Sequence, residues 1–294
     1  GQSGIEYLGG TWVQKLESEI CKINGHNYAV TFNSWTSGLE AIFSSLDFHK
    51  NSEIIVPTWT MSATISAIIN AGYVPRFIDI DEETFNIKTE DLSLLLNEKT
   101  RAVCSVELFG RPSEMDILRR FCDDHSLLLI SDSAQCPGAR YKDKVPAKWA
   151  DVGGYSLNRH KHFQTGEGGV AVTDNFVIAE RLRALRNHGE VAAPEVRVGE
   201  REIYGHNWRM GEIEAYLGFE QYQRFSKQLN DRRVIGKLLS KSLREIGGLS
   251  IEILPEGIEH DFYLLGMRLA TQKNRFFIED ALRAEGLHIL ITTY

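Results

Sequence analysis

The chain has 294 residues, of which 43% are hydrophobic and 25% are charged, and its net charge is −7. These values suit a soluble globular protein with one large core, or with a large and a small domain. The basic residues are scattered and the apolar runs are short, which argues against nucleic-acid binding and against a membrane-spanning protein.

Short apolar segments alternate with amphipathic helices through the first two thirds of the chain. In chain order, we predict helices at 11–24, 39–46, 61–71, 89–96, 115–125 and 175–186, and strands at 28–32, 53–57, 74–80, 102–108, 127–131 and 170–173. Nearly all strand positions are apolar, which is typical of strands that are buried on both faces. The pattern predicts an α/β fold with a mostly parallel central sheet flanked by helices.

A polar stretch at residues 189–202 follows, and we expect it to be a solvated loop. Beyond it lie a long amphipathic helix at 211–246, strand-like segments at 250–254 and 262–269, and a helix at 274–285. This organisation predicts a large domain of residues 1–210 and a smaller α+β domain of residues 211–294. The chain stops within the strand-like run 289–294, so we expect the small domain to be incomplete.

The cysteines indicate a reducing compartment. There are four, widely spaced and without a CxxC pair: Cys21, Cys104, Cys122 and Cys136. Such a set is typical of buried, reduced thiols, and it does not have the spacing of a zinc site. No signal-peptide pattern opens the chain, so we expect a cytoplasmic protein.

In sheets of this kind, ligands bind beyond the carboxyl ends of the strands. The loop at residues 33–38 follows the first strand and opens a helix, whose free amides and hydroxyls suit either a phosphate group or a simple helix cap. Trp59 follows the second strand and could stack on a planar ring or only pack. Asp132 ends the fifth strand and could hold a protonated ring nitrogen or cap a helix, and Gln135 could donate to an oxygen on the same ring.

Lys161 is the most informative residue, because it lies close to the glycine-rich residues 166–169. A desolvated lysine loses its proton readily and becomes an amine that forms Schiff bases. Ser156 precedes it and could reach a cofactor phosphate. The glycines allow a tight turn but do not form a GxGxxG fingerprint, which disfavours a dehydrogenase. His160 and His162 flank the lysine without a third ligand nearby, so we expect no metal site.

A lysine, an aspartate, an aromatic platform and hydroxyls are the parts needed to hold pyridoxal 5'-phosphate (PLP). Nine stretches together resemble the DegT/DnrJ/EryC1/StrS family of PLP-dependent sugar aminotransferases, of aminotransferase fold type I. They are 33–39 (NSWTSGL), 56–60 (VPTWT), 77–81 (FIDID), 108–112 (LFGRP), 131–135 (SDSAQ), 155–161 (YSLNRHK), 165–169 (TGEGG), 186–189 (RNHG) and 205–210 (GHNWRM). Their order and spacing, running almost from end to end, make the resemblance specific.

The resemblance implies a role for each residue that would hold the cofactor ring. Lys161 would form the Schiff base and carry the proton, while Asp132 would pair with the pyridine nitrogen. Gln135 would bind the phenolate oxygen, and Trp59 would stack on the ring face. The implied reaction moves an amino group, from L-glutamate, to a keto- or aldehydo-sugar linked to a nucleotide, in amino-sugar and surface polysaccharide biosynthesis.

The resemblance also implies how the cofactor phosphate is bound. Thr36, Ser37 and Ser156 would bind it within one subunit. Asn207 would reach the phosphate of the neighbouring subunit, which requires a homodimer with shared active sites.

One departure from the family concerns Glu107, since the family usually carries a histidine there; substrate selection and subunit contacts are the properties that this change could alter. Some members replace the lysine with a histidine and act as sugar dehydratases. In this chain the spacing places Lys161, rather than His160 or His162, at the Schiff-base position, which favours amination. The alternatives are such a dehydratase, a non-catalytic PLP-binding regulator, and a nucleotide-binding module of another α/β class.

Overall fold

The structure is a computed structural model of the 294-residue chain, and it describes residues 9–190, 203–269 and 275–286. The helices are α1 (Thr11–Asn24), α2 (Trp35–Ser45), α3 (Ser62–Asn70), α4 (Leu92–Leu95), α5 (Met115–Asp124), α6 (Phe176–Arg186), α7 (Glu212–Leu243) and α8 (Arg275–Ala284). The strands are β1 (Tyr28–Phe32), β2 (Glu53–Pro57), β3 (Val74–Ile78), β4 (Thr100–Val106), β5 (Leu128–Asp132), β6 (Arg140–Tyr141), β7 (Val152–Ser156), β8 (Gly169–Thr173), β9 (Leu249–Ser250), β10 (Ile258–Glu259) and β11 (Arg268–Leu269). None of the described helices is long and apolar enough to cross a membrane.

The central sheet has seven strands in the order β1-β8-β7-β5-β4-β2-β3. The pairs from β7 through β3 are parallel, whereas β8 runs antiparallel to both of its neighbours, β7 and β1. The predicted α/β fold with a mostly parallel sheet is confirmed. The pattern did not predict β7, because Gly153 and Gly154 interrupt its apolar run and glycine is uncommon inside strands.

The two faces of the sheet are covered by different helices. Alternation along a strand sends neighbouring side chains to opposite faces. In β2, Ile54 and Val56 therefore pack with α2, α3 and α6, while Ile55 packs with Met115 and Leu118 of α5. Helices α1 and α7 cover the β1, β7 and β8 end of that second face. The carboxyl edge of the sheet is left between these two layers of helix.

The C-terminal part differs from the prediction. The long helix is confirmed as α7. The expected strands 250–254 and 262–269 are much shorter in the structure, where only the two-residue strands β9 and β11 form and pair with each other. The reason lies in the hydrogen bonds: Asp261 donates from its backbone to Gly110 at 2.8 Å, and Leu264 donates to Phe109 at 3.1 Å. This segment therefore pairs with the loop after β4 instead of forming a strand of a separate sheet. The domain division at residue 210 stays a prediction, and the loop at 191–202 and the end at 287–294 lie outside the described residues.

The first turn of α1 is capped from a distant part of the chain. Gly10 precedes the helix and offers no capping side chain. The Glu212 carboxylate, at the start of α7, instead accepts hydrogen bonds from the backbone of Trp12 at 2.9 Å and of Val13 at 3.0 Å. A Cβ at position 10 would overlap this carboxylate, so a larger residue there would have to push the end of the Glu212 side chain away from the cap. The cap joins α1 and α7 at one end of their shared face.

The close fit around β7 gives a test of the fold. A Cβ on Gly154 would overlap the Val170 carbonyl oxygen and the indole of Trp35. Gly154→Ala should therefore lower the free energy of unfolding by about 1–3 kcal/mol, measured by chemical denaturation. The matched control is Gly247→Ala, since nothing lies within 4 Å of a Cβ built there; it should change stability by less than about 0.5 kcal/mol. Equal effects in the two variants would contradict this packing.

Candidate active site

The candidate residues collect at the carboxyl edge of the sheet. Asp132 is the last residue of β5 and Ser156 the last residue of β7. Ser37 lies in the first turn of α2, which follows β1, and Trp59 lies in the loop after β2. Parallel strands end at the same edge, so residues that are far apart in the chain become neighbours. The predicted cofactor residues at the ends of β1, β2, β5 and β7 therefore lie along one edge of the sheet.

Asp132 lies at the centre of the group, and only 3% of its surface is exposed. Its Oδ1 accepts hydrogen bonds from Trp35 Nε1 at 2.7 Å and from the Ala134 backbone at 3.2 Å. Its Oδ2 accepts a hydrogen bond from Thr64 Oγ1 at 2.7 Å. A buried carboxylate needs such donors, because burial removes the hydration that stabilises its charge.

Lys161 lies in the hairpin that joins β7 to the antiparallel β8. Its backbone donates to Asn158 at 2.8 Å, and Gly166 turns the chain at a φ of 82°, in the left-handed region that favours glycine. The Lys161 Nζ lies 4.5 Å from the centre of the Tyr263 ring. Burial lowers the pKa of Lys161 to about 8, against an opposing effect of the nearby Asp132 charge. About a tenth of the amine is therefore neutral, and nucleophilic, at pH 7, far more than for an ordinary lysine.

His162 ties this hairpin to the segment that carries Tyr263. Its Nε2 lies 3.1 Å from the carbonyl oxygen of Asp261. A carbonyl oxygen only accepts, so Nε2 carries the proton in this contact. Burial, together with nearby positive charges such as Arg232, lowers the pKa of His162 to about 4, which keeps the ring neutral. The histidine beside the lysine thus has a structural contact that helps to hold Tyr263 over Lys161, while His160 is exposed.

Gln135 and Trp59 are joined through the loop after β4. The Gln135 Oε1 accepts a hydrogen bond from the Phe109 backbone at 2.7 Å, which leaves the amide Nε2 as the free donating end. The rings of Trp59, Phe85 and Phe109 meet edge to face, with centroids 5.4–6.2 Å apart. Phe109 adopts a φ of 60°, a strained value for a residue other than glycine. The loop therefore stores strain where it positions both Gln135 and Trp59.

Helix α2 begins at Trp35, four residues before the predicted start, because Ser34 caps it. The Ser34 hydroxyl accepts from the Ser37 backbone at 3.1 Å, and the Ser37 hydroxyl donates to Asn33 Oδ1 at 2.6 Å. Thr36 is exposed on the same first turn. The free amides and hydroxyls of this turn can bind an anion. The structure therefore shows the helix cap, and the phosphate-binding interpretation of the loop stays a prediction.

Ser156 and Asn207 lie on either side of this group. Ser156 is buried and its hydroxyl accepts weakly from the Asn158 backbone at 3.4 Å. Asn207 is exposed and its backbone pairs with Asn187. No described hydrogen bond joins the Asn207 side chain to the residues around Lys161, so within one chain it stands apart from the site.

Glu107, where the family usually has histidine, is fully buried. Its Oε1 accepts from the hydroxyls of Ser105 at 2.6 Å and Ser131 at 3.2 Å, and its Oε2 accepts from the Ser113 backbone at 2.6 Å. Burial raises the pKa of Glu107. The side chain therefore faces the interior, where it fastens the loop after β4 to β5.

Three residues of the site were not predicted. Trp35 and Thr64 bind the Asp132 carboxylate, and Tyr263 covers Lys161. The sequence pattern placed Trp35 in the loop that opens a helix, but it did not predict that the indole donates to Asp132 at the end of β5. Thr64 lies inside a helix and Tyr263 comes from the far C-terminal part, so neither follows a strand of the sheet.

Nearly the whole chain matches one known family. The profile described as the DegT/DnrJ/EryC1/StrS aminotransferase family matches residues 2–292. The chain belongs to this family. It is a family of PLP-dependent aminotransferases of fold type I, and the named relatives of this chain include sugar aminotransferases, so the predicted family, fold and enzyme class are confirmed.

Individual relatives agree with this assignment. The chain is 29% identical over 262 residues to the GDP-perosamine synthase of Vibrio cholerae, covering 88% of this chain and 70% of the relative. It is 33% identical over 212 residues to the UDP-4-amino-4,6-dideoxy-N-acetyl-beta-L-altrosamine transaminase of Helicobacter pylori, covering 71% of this chain and 56% of the relative. Helicobacter pylori PseC, an aminotransferase involved in the biosynthesis of pseudoaminic acid, superposes with a TM-score of 0.85 at 27% identity, over 95% of this chain and 76% of that one.

The lowered pKa of Lys161 gives a test that needs no cofactor. In cofactor-free protein, the rate of Lys161 acetylation by acetic anhydride, followed by peptide mass spectrometry, should have its midpoint near pH 8 instead of 10.5. Asp132→Asn should move this midpoint lower still, because the carboxylate charge favours the protonated amine. Unfolding in urea should return it to the ordinary lysine value. A midpoint that rises or stays constant in Asp132→Asn would contradict the coupling between the two residues.

Proposed function

We propose that this sugar aminotransferase binds PLP through Lys161 and Asp132 and transfers an amino group from L-glutamate to a keto- or aldehydo-sugar linked to a nucleotide. The observation that carries the proposal is a half-buried lysine with a pKa of about 8, close to a buried aspartate at the carboxyl edge of the sheet. Perturbed titratable groups of this kind are typical of catalytic sites.

The residues around Lys161 fit the cofactor. The Trp59 Nε1 is buried without a hydrogen-bond partner among the described residues, and the Gln135 amide has its nitrogen end free. A buried polar group without a partner is rare in folded proteins, so the unpaired Trp59 Nε1 favours a ligand next to this indole. Thr36 and Ser37 add the anion-binding turn of α2.

Each residue then has a chemical task. PLP, when bound, supplies an electron sink for the carbon that gains or loses the amino group. Lys161 would hold the cofactor through its Nζ, and its free amine would take up and give back the proton that moves during amino transfer, a task suited to a pKa near the working pH. The Asp132 carboxylate would hold the proton of the ring nitrogen, and Gln135 would donate to the ring oxygen. Trp59 would pack against the ring, and Thr36, Ser37 and Ser156 would bind the phosphate.

The names of the relatives support a nucleotide sugar as amino acceptor. GDP-perosamine synthase and the altrosamine transaminase are both named for amino sugars carried on a nucleoside diphosphate. We place this enzyme in the same class of reaction, in amino-sugar and surface polysaccharide biosynthesis, and in the cytoplasm, where its four free cysteines would stay reduced.

The proposal includes a homodimer with shared active sites. Asn207 is exposed and lies outside the hydrogen bonds of its own site, as expected of a residue that serves a neighbouring subunit. Closed two-fold dimers are the commonest soluble assemblies, so this arrangement is a natural one.

The attachment point provides the first test. Borohydride reduction of the protein with PLP should fix the cofactor on Lys161, identified by peptide mass spectrometry. Lys161→Ala should lose both this adduct and turnover, because no other described amine lies beside Asp132. The control is His160→Ala, an exposed neighbour, which should keep the adduct. Turnover in Lys161→Ala at the wild-type rate would sink the proposal.

The acceptor can be found by incubating the protein, PLP and L-glutamate with a panel of keto-sugar nucleotides and following 2-oxoglutarate. If 2-oxoglutarate is released only in the presence of one keto-sugar nucleotide, that sugar is the amino acceptor. Loss of sugar hydroxyl without amino transfer would instead identify a dehydratase.

A further inference from the structure

The carboxylate of Asp132 has only one open position for a further partner. A carboxylate has about four lone-pair sites, two on each oxygen. Trp35 and the Ala134 backbone occupy both sites of Oδ1, and Thr64 occupies one site of Oδ2. Among the described residues no other donor reaches it, so Oδ2 is the oxygen that can accept another hydrogen bond.

The Trp35 indole is held firmly enough to fix this arrangement. It is 6% exposed, and glycines make room for it on several sides. A Cβ on Gly38 would lie 2.9 Å from Cε3 of the indole, one on Gly169 would lie 2.5 Å from the Trp35 Cα, and one on Gly154 would overlap the ring. A side chain at Gly38 or Gly154 would displace the indole, and one at Gly169 would displace the backbone of Trp35. An indole N–H can only donate, so the direction of its hydrogen bond to Asp132 is also fixed.

The Thr64 hydroxyl, which binds Oδ2 of Asp132, also has a fixed hydrogen-bond direction. Thr60 and Thr64 are joined by a hydrogen bond of 2.9 Å. Thr64 must use its one proton for Asp132, because the carboxylate only accepts. Thr60 is therefore the donor to Thr64, and the pair forms a one-way chain that ends on Oδ2.

We infer that Trp35 is a positioning residue: it occupies Oδ1 of Asp132 and turns the carboxylate so that Oδ2 receives the proton on the ring nitrogen of PLP. The inference rests on the proposed function. Trp35 also stands directly before Thr36 and Ser37 in the first turn of α2. One turn of helix therefore carries the groups for the cofactor phosphate and sets the partner of the ring nitrogen, which holds the two ends of the site at a constant separation.

The test removes the indole N–H and keeps the shape of the side chain. Residue Trp35 is replaced by 3-benzothienylalanine, in which sulfur stands in place of the N–H group. Two quantities are measured: the ¹⁵N chemical shift of PLP labelled at the ring nitrogen, from pH 6 to 9, and the dissociation constant of PLP. We expect the ring nitrogen to stay protonated in the wild type and to lose its proton within this range in the analogue, with PLP binding about tenfold weaker.

Two comparisons separate positioning from general damage. The same replacement at Trp149, whose indole donates to the Tyr141 carbonyl oxygen at 3.2 Å, should change neither quantity. Thr64→Val removes a donor from Oδ2, makes this oxygen more basic, and should leave the ring nitrogen protonated. Simple disruption of the site would instead act in the same direction in Thr64→Val and in the Trp35 analogue.

The outcomes distinguish this inference from the proposed function. Failure of the wild type to bind PLP, or attachment at a residue other than Lys161, would overturn the proposed function. A wild type with a protonated ring nitrogen, together with a Trp35 analogue whose titration and affinity stay within about twofold, would overturn the role of Trp35 alone.

Discussion

The buried carboxylate of Asp132 is the constraint around which the site is arranged. Removing a carboxylate from water is costly unless hydrogen-bond donors replace the lost hydration. The donors here come from α2, from α3 and from the turn after β5, so three elements have to meet at one point. The need for the indole to reach this point also explains Gly154 on β7, because a Cβ there would overlap the indole ring. Sheet, helices and glycines are thus coupled through one side chain.

A second constraint joins the C-terminal part to the same edge of the sheet. Asp261 is fully buried, and its side chain accepts from the Gly138 backbone at 2.7 Å and from Arg233 of α7 at 3.1 Å. Burial raises the pKa of Asp261 to about 6, against these favourable contacts. The backbone around it pairs with the loop after β4 and brings Tyr263 onto Lys161. The environment that lowers the pKa of the lysine is therefore built in part by residues about a hundred positions later in the chain.

Much of the large domain could be predicted from the sequence, because apolar strands and amphipathic helices alternate regularly and their ends point to the binding edge. That reasoning predicted Asp132, Gln135, Trp59 and Lys161 as candidates, although their roles toward a cofactor remain proposals. The hidden features depend on packing in three dimensions. Strand β7 contains two glycines, and one of them, Gly154, leaves room for the Trp35 indole. The direction in which this indole points cannot be derived from the hydrophobic periodicity of the sequence. The C-terminal strands are shorter than predicted: residues 249–250 and 268–269 pair with each other, whereas the backbone of Asp261 and Leu264 bonds to the loop after β4.

The cap on α1 has a consequence for how the chain acquires its structure during synthesis. The helix N-terminus and the Glu212 carboxylate that completes it are 200 positions apart. At about 5–20 residues per second, a ribosome needs roughly 10–40 seconds to reach the capping residue after it has made the helix. During that interval the amides of Trp12 and Val13 lack the Glu212 carboxylate as a hydrogen-bond acceptor. The apolar face of α1 also lacks its contacts with α7. The first helix that the structure describes thus gains its cap only after residue 212 has been made, so the order of synthesis and the order in which α1 is completed differ.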